Sequence, residues 1–341
     1  MTREIIKWYQ IHKRNLPWRK TKDPYKIWVS EIILQQTQIK TGINYYLKFL
    51  KHFPTIKVLA NSSENHVLTI WEGLGYYNRA LNMLYTAKTV QNELDGVFPS
   101  IYDKLINLKG IGEYTAAAIS SICADEERAV LDGNVYRVLS RVHNIKEVVG
   151  TISAKKLFQK TANKFLYKEN PGIYNQAIMD FGAIQCTKHK PKCESCPLQN
   201  QCFAYKNDLI HERPIRKKSK KKKIRYFNYL FFNSKTKFII QQRSRLDIWS
   251  KLFEFPLIES KSELIEKEIR KHQICTFLKV HTINQLKVIH QLSHQQLNIT
   301  FWNIVVKKIP NEFQSISYKE ILNTAFPRPI KKYLESKYKN S

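Results

Sequence analysis

Four thiols are crowded into 17 positions: Cys186, Cys193, Cys196 and Cys202, spaced C-x6-C-x2-C-x5-C. Four thiolates in one short loop can close around a single metal centre. Zinc ribbons usually pair two C-x2-C knuckles across a longer gap. One loop with one such knuckle suits a compact cubane cluster, for which four-cysteine ligation is standard; zinc is the alternative that spacing leaves open. Cys123 and Cys275 stand alone and read as ordinary buried thiols. Upstream, Gly110 and Gly112 free the backbone for a tight turn between helical stretches at 102–108 and 116–123. Amides exposed there, beside a helix N-terminus, make an anion cradle. Asp132, in Leu131-Asp132-Gly133-Asn134-Val135, opens a further helical stretch, where by default it caps the helix. Glu31 lies within an apolar helical stretch. An acid there sits at the helix edge or is buried with a raised pKa, and the second state suits a general acid.

These residues need a scaffold. Up to residue 212 the apolar residues recur at helical spacing, as in Ile27, Trp28, Ile32 and Leu34, then Val67, Leu68 and Trp71, then Leu139 and Val142. Beyond residue 225, short β-prone runs appear at 226–232, 237–241 and 296–306, with helical patterns at 262–271 and 319–323. Between them, 213–225 reads RPIRKKSKKKKIR, nine basic residues and no acid. Such a block repels itself and reads as a solvated linker, able also to track phosphates. The 341 residues therefore divide into an all-α domain, a basic linker and an α+β domain. A net charge of +29 calls for a polyanion, nucleic acid before an anionic membrane surface. No apolar run is long enough to span a membrane. The opening MTREIIKWYQIHKR does not read as a signal peptide, so the cysteines favour a metal over a disulfide frame.

Together, the glycine hairpin, the acid that follows it and the cysteine loop resemble, in order and spacing, the iron–sulfur branch of the helix-hairpin-helix DNA glycosylases, which holds endonuclease III and the MutY-type adenine glycosylases. The N-terminal motifs are similar to the MutY pattern nearly residue for residue: Leu16-Pro17-Trp18-Arg19, Asp23-Pro24-Tyr25, and Trp28 through Gln38. The resemblance implies one structural 4Fe-4S cluster on Cys186, Cys193, Cys196 and Cys202. It implies that Glu31 protonates the adenine, and that Asp132 stabilises the oxocarbenium-like sugar. Tyr114 stands where bifunctional relatives carry a lysine that forms a Schiff base. The resemblance therefore implies a monofunctional enzyme in which Tyr114 assists. Gln36 corresponds to a wedge that fills the stack after base flipping, and Tyr76 to a tyrosine that intercalates beside the opposite base. Gly110 and Gly112 would hold phosphate, Asn134 would support the acid site, and Arg19 would line the base pocket.

The fold so implied is a mostly α catalytic domain with an iron–sulfur loop, plus a C-terminal α+β Nudix-like domain. Its boundaries are 1–212 (a six-helix part at about 24–131, an iron–sulfur part from 1–23 and 132–212), the linker 213–225, and 226–341. In the last, Gln291-Leu292-Ser293-His294 aligns with a Phe-Ser-His loop that reads 8-oxoguanine. Ser293 and His294 are kept, while Leu292 replaces the stacking phenylalanine. The stretch 246–256, LDIWSKLFEFP, is close to a family motif that leads into a strand. Glu263, Glu266 and Glu268 are present without the glycine-led box of a Nudix hydrolase, so no pyrophosphatase activity is expected. The function implied is hydrolysis of adenine from duplex DNA where it faces 8-oxoguanine or guanine, by a cytoplasmic, nucleoid-associated monomer. Tyr114 and the C-terminal domain count against the alternatives, an endonuclease III-like lyase or a thymine-mismatch glycosylase. The presence of both Glu31 and Asp132 counts against a non-catalytic lesion marker.

Overall fold

A computed structural model describes residues 1–217, 222–234, 236–244, 247–278 and 282–338. The middle of the basic run, 218–221, and Leu246 of the 246–256 motif lie outside the described residues. Through residue 206 the regular structure is helical: α1 (Thr2–His12), α2 (Pro24–Leu34), α3 (Ile39–His52), α4 (Ile56–Ala60), α5 (Glu64–Trp71), α6 (Asn78–Glu93), α7 (Tyr102–Leu105), α8 (Glu113–Cys123), α9 (Gly133–His143), α10 (Ile152–Phe165), α11 (Pro171–Asp180) and α12 (Phe203–Lys206). Strands then alternate with short helices: β1 (Lys223–Asn233), β2 (Lys237–Ile239), β3 (Gln241–Gln242), β4 (Phe253–Glu254), β5 (Leu257–Ser260), α13 (Glu266–Arg270), α14 (Gln273–Phe277), β6 (Thr282–Gln291), β7 (Gln295–Val305), β8 (Ser315–Ser317) and α15 (Arg328–Tyr338). Among the described residues no helix is long and apolar enough to cross a membrane.

The chain forms two compact units, Met1–Asn61 with Asn82–Ser219, and Ser62–Leu81 with Lys220–Ser341. In the first, α2 is buried on nearly every side, from Tyr25 and Trp28 to Ile33. A helix apolar all round has no water-facing stripe and must run through a core. Asp23 starts it by accepting a hydrogen bond from the Tyr25 amide at 2.9 Å, with Pro24 in the first turn. In α8, Ala116, Ala117 and Ala118 keep the helix slim, so α2, α7 and α11 pack close. Gly110, at φ +81°, turns the chain from α7 into α8; a Cβ there would meet Asn82 Cβ at 2.9 Å. After α11 the chain continues as a π-helical turn, Phe181–Gln185, which delivers Cys186 to the cysteine loop. Val138, Leu139, Phe158, Tyr174, Ile178 and Phe181 fill the core between these helices.

The second unit is built on a six-stranded sheet of order β6-β7-β1-β2-β8, with β5 beside β1. The strands β1 and β7 run parallel from Lys223↔Gln295 to Asn233↔Val305. A three-residue turn, 292–294, joins antiparallel β6 and β7. The segment Ser62–Leu81 belongs to this unit rather than to the helices that flank it in sequence: Asn65 Nδ2 donates to the Asn323 carbonyl at 2.8 Å, and Lys331 pairs with Glu72 at 3.4 Å. The two ends of the basic segment are anchored rather than solvated. Arg213 is buried and donates to Asn144 Oδ1 at 3.0 Å, and Arg225 is buried within β1.

Candidate active site

A pocket of about 450 Å³ opens in the first unit, and Glu31, Tyr114, Asp132, Asn134, Arg19 and Gln36 all line it. Each arrives by a different local device. Glu31 comes from the middle of buried α2 and is only 8% exposed. Tyr114 enters on the first turn of α8, directly after the glycine hairpin. Asp132 is the cap residue of α9, where its Oδ1 accepts from the Asn134 and Val135 amides at 2.8 and 2.7 Å. Capping leaves Oδ2 for the Asn134 side-chain amide at 2.6 Å. The cap and the candidate catalytic acid are thus the same carboxylate. Gln36 follows the end of α2 in the left-handed region, φ +56°, and is exposed at the pocket.

Burial separates these acids from ordinary ones. Removal from water pushes the Glu31 carboxyl up to about 7, with help from the negative charge of Asp132; Tyr114 and Arg19 oppose the rise. At neutral pH Glu31 is therefore poised between proton donor and carboxylate. Burial also raises Asp132, but the two amides, the Asn134 side chain and Arg137 favour its ionised form. The Tyr114 hydroxyl donates to Met179 Sδ at 3.3 Å, faces Glu31, and is held well above its usual range by burial and by the two carboxylates. Arg19 is not free: Asp180, fully buried at the end of α11, accepts from its Nη1 and Nη2 at 2.6 and 2.8 Å and also pairs with Arg14.

From the same helix the site connects to the cysteine loop. Arg137 on α9 donates to Asn134 Oδ1 at 2.8 Å and to the Cys186 carbonyl at 2.7 Å. One turn further, buried Arg141 donates to Cys186 Sγ at 3.3 Å and to the Thr187 carbonyl at 2.8 Å. Gly182 makes this approach possible, since a Cβ there would meet Asn134 Cβ at 2.6 Å. Cys186, Cys193, Cys196 and Cys202 all line one apolar pocket with Val142, Phe181 and other core residues, and none of the four forms a disulfide. Among the described residues no group of three or more His, Cys, Asp or Glu is set to hold a metal ion. The residues present fit a bulkier group: four sulfurs around a shared pocket, with an arginine beside one of them to offset thiolate charge.

The remaining sequence candidates lie in the second unit. Tyr76 is 46% exposed in the left-handed region, φ +48°, and its hydroxyl lies 2.7 Å from Ser293 Oγ. The expected intercalating tyrosine and the expected reader of the opposite base therefore touch. Ser293 Oγ also lies 3.2 Å from His294 Nδ1, and the turn is closed by Leu292 N donating to the Gln295 carbonyl at 2.9 Å. Gly110 and Gly112 are exposed at the hairpin of the first unit, with Gly112 capping α8.

Known proteins resemble this chain in sequence and fold. The family model of HhH-GPD superfamily base excision DNA repair proteins matches residues 29–165, and the NUDIX domain model matches 228–336. An adenine DNA glycosylase of Buchnera aphidicola subsp. Baizongia pistaciae is 38% identical over 308 residues, 89% of this chain and 86% of the relative. That of Buchnera aphidicola subsp. Schizaphis graminum is 36% identical over 345 residues, 97% of this chain and 96% of its own. The chain belongs to the adenine DNA glycosylase family. Among solved structures, a thermostable thymine-DNA glycosylase superposes with a TM-score of 0.54 at 27% identity, over 60% of this chain and 95% of its own.

Against this family background, several residues that sequence reasoning passed over stand out. Asp180 fixes Arg14 and Arg19, which line the pocket, and Arg137 and Arg141 connect acid and cysteines. The available signal was an acid in the apolar run Ala177-Ile178-Met179-Asp180-Phe181, a setting like that of Glu31. The arginines follow Asp132 at helical spacing, on the face that also carries Val138 and Val142.

Proposed function

We propose that the protein hydrolyses the N-glycosidic bond of adenine in duplex DNA during base excision repair, acting where adenine faces 8-oxoguanine or guanine. The observation that carries the reading is one pocket that combines buried Glu31, its carboxyl pushed up to about 7, with a hydrogen-bonded Asp132, and is lined by Tyr114 rather than a lysine. Adenine is a poor leaving group until a ring nitrogen is protonated. Glu31 gives its proton to N7 of the flipped base. The C1′–N9 bond then breaks with its electrons going to the base. The ionised Asp132 stabilises the positive charge that grows on the sugar. Water adds to C1′ and its proton passes to the Glu31 carboxylate, which restores the acid and completes the hydrolysis. Tyr114 holds Glu31 through their polar contact and offers no amine for a Schiff base.

Gln36 fills the gap left by the flipped adenine, and Tyr76 inserts beside the opposite base. Leu292, Ser293 and His294 read that base. Gly110 and Gly112 hold a backbone phosphate at the hairpin. Cys186, Cys193, Cys196 and Cys202 hold one 4Fe-4S cluster. When bound, that cluster ties the 186–202 loop together and supplies no bond-breaking step. The enzyme acts as a cytoplasmic monomer on DNA.

The test is a panel of duplexes carrying adenine opposite 8-oxoguanine, guanine, cytosine or thymine, plus a thymine-glycol duplex, each treated with alkali after incubation. Alkali-dependent cleavage at adenine opposite 8-oxoguanine and guanine is expected. No such site would remove the reading, and strand nicking without alkali, trapped by borohydride, would replace it with a lyase.

A further inference from the structure

The 246–256 motif is not used by the chemistry of the pocket, yet its described part lies behind the reading turn 292–294. We propose that Trp249, Asp247 and Arg225 are positioning residues for that turn, and thereby for discrimination of the base opposite adenine. The inference rests on the reading of the turn given above.

Both flanks of the turn are held by one cluster. On the β6 side, His290 packs against Trp249, ring centroids 5.8 Å apart. On the β7 side, Gln295 is 4% exposed, and its Oε1 accepts from Arg225 Nη1 at 3.4 Å. Arg225 grips Glu259 with Nε and Nη2 at 2.7 and 2.9 Å, and Nη2 also donates to Asp247 at 2.6 Å. Asp247 in turn accepts from Arg243 at 3.1 Å. Arg243, 1% exposed, donates to both oxygens of buried Glu254 at 3.2 and 3.0 Å and to the Ile248 carbonyl at 2.8 Å. Both guanidiniums lie over the Phe227 ring, at 4.8 and 5.4 Å, and Trp249 meets the same ring edge-on at 6.2 Å.

The backbone bears the mark of this arrangement. Trp249 and Lys251 both occupy the left-handed region, at φ +63° and +68°. Non-glycine residues stay there only when their surroundings over-determine them. Here the Arg243 hydrogen bonds to Ile248 and to the loop's Asp247 do so, and the Lys251 amide donates back to the Arg243 carbonyl at 2.9 Å. A three-residue turn in solvent cannot aim Ser293 and His294 by its own packing. Hydrogen-bond recognition tolerates only tenths of an ångström. The cluster underneath holds both flanks, the Lys223 amide donates to the His294 carbonyl at 3.4 Å, and the Tyr76 hydroxyl meets the turn at Ser293 Oγ, 2.7 Å away.

The experiment compares single-turnover rates of the full-length, cluster-loaded protein on adenine opposite 8-oxoguanine and opposite guanine. The variants are Trp249→Leu, Gln295→Met and Ser293→Ala, each checked for fold by circular dichroism. Trp249→Leu and Gln295→Met are expected to lower the 8-oxoguanine-to-guanine rate ratio roughly three- to tenfold, with the rate opposite guanine within about twofold of wild type. If Ser293→Ala lowers the ratio while folded Trp249→Leu and Gln295→Met keep it, the proposal is overturned and the reading of the turn stands. If Ser293→Ala leaves the ratio unchanged, the reading of the turn fails and the proposal falls with it. Should Trp249→Leu not fold, Gln295→Met decides, since it leaves Arg225 with both of its carboxylates.

Discussion

Buried carboxylates and an exposed turn divide the polar work of the two units. In the first, desolvation pushes the carboxyls of Glu31 and Asp132 up, and hydrogen bonds and Arg137 hold Asp132 toward its ionised form. In the second, two buried arginines behind the turn are compensated, Arg225 by half-buried Asp247 and exposed Glu259, Arg243 by buried Glu254. Ser293 and His294 remain at the surface as hydrogen-bonding groups. The difference teaches that burial serves two ends. An acid buried beside another acid is tuned for proton transfer. An acid buried against an arginine is spent on geometry.

The largest effect should come from breaking the catalytic side. Asp132→Asn keeps a capping oxygen for the helix but loses the charge, and single-turnover cleavage should drop roughly a thousandfold or more. A variant with full activity would move the charge-stabilising role elsewhere. Glu31→Gln should cost roughly a hundredfold or more in rate, and it should do the reverse to stability. In the fold Glu31 titrates at about 7, above its unfolded value, so the native state binds the proton more tightly. Stability tied to that proton is complete at acid pH and is lost as pH rises toward about 7 and beyond. Removing the group should therefore raise stability at about pH 8, by up to about 3 kcal/mol in chemical denaturation, with no gain at about pH 4.

Smaller effects probe the other unit. Ser293→Ala removes one neutral hydrogen bond at a surface turn and should change the ratio of rates opposite 8-oxoguanine and guanine by roughly two- to tenfold, with little change in the pH profile. A shifted pH profile would mean that the two units are not separate in function. The mildest change is to charge. Replacing the lysines of the 217–223 run by glutamine should weaken binding and flatten its salt slope by about one for each phosphate that is no longer neutralised. Single-turnover cleavage of bound DNA should stay nearly unchanged.

The contrast also marks what the sequence made legible. Cysteine spacing, the glycine hairpin and Asp132 at a helix start were readable because each depends on local backbone geometry. The apolar neighbours of Glu31 left a helix-edge acid and a buried one both open, and the resemblance of Trp28 through Gln38 to the MutY pattern pointed to the buried one. The C-terminal unit was harder. The run at 226–232 lies within β1 and the run at 296–306 covers nearly all of β7, and most of the buried residues of both strands are apolar. In contrast, β6 carries Asn284, Gln285 and Lys287 among its apolar residues and is exposed along most of its length, so no clean alternation announces it. Helix α15 begins between Pro327 and Pro329, residues that read as breakers although proline is tolerated in a first turn. The helical pattern at 262–271 yields only the short α13. That Ser62–Leu81 would join the second unit, and that Asp180 would hold two arginines, are long-range facts without a local signature.

The most direct test of the central claim is the pH dependence of single-turnover adenine release by the wild-type protein and by Glu31→Gln. If Glu31 must be protonated to act, the wild-type rate is flat below about pH 7 until Asp132 begins to protonate, and falls about tenfold per pH unit above it. The residual rate of Glu31→Gln then lacks that alkaline limb. A wild-type rate that stays level between about pH 6 and pH 9, or an alkaline limb that survives in Glu31→Gln, would contradict the account.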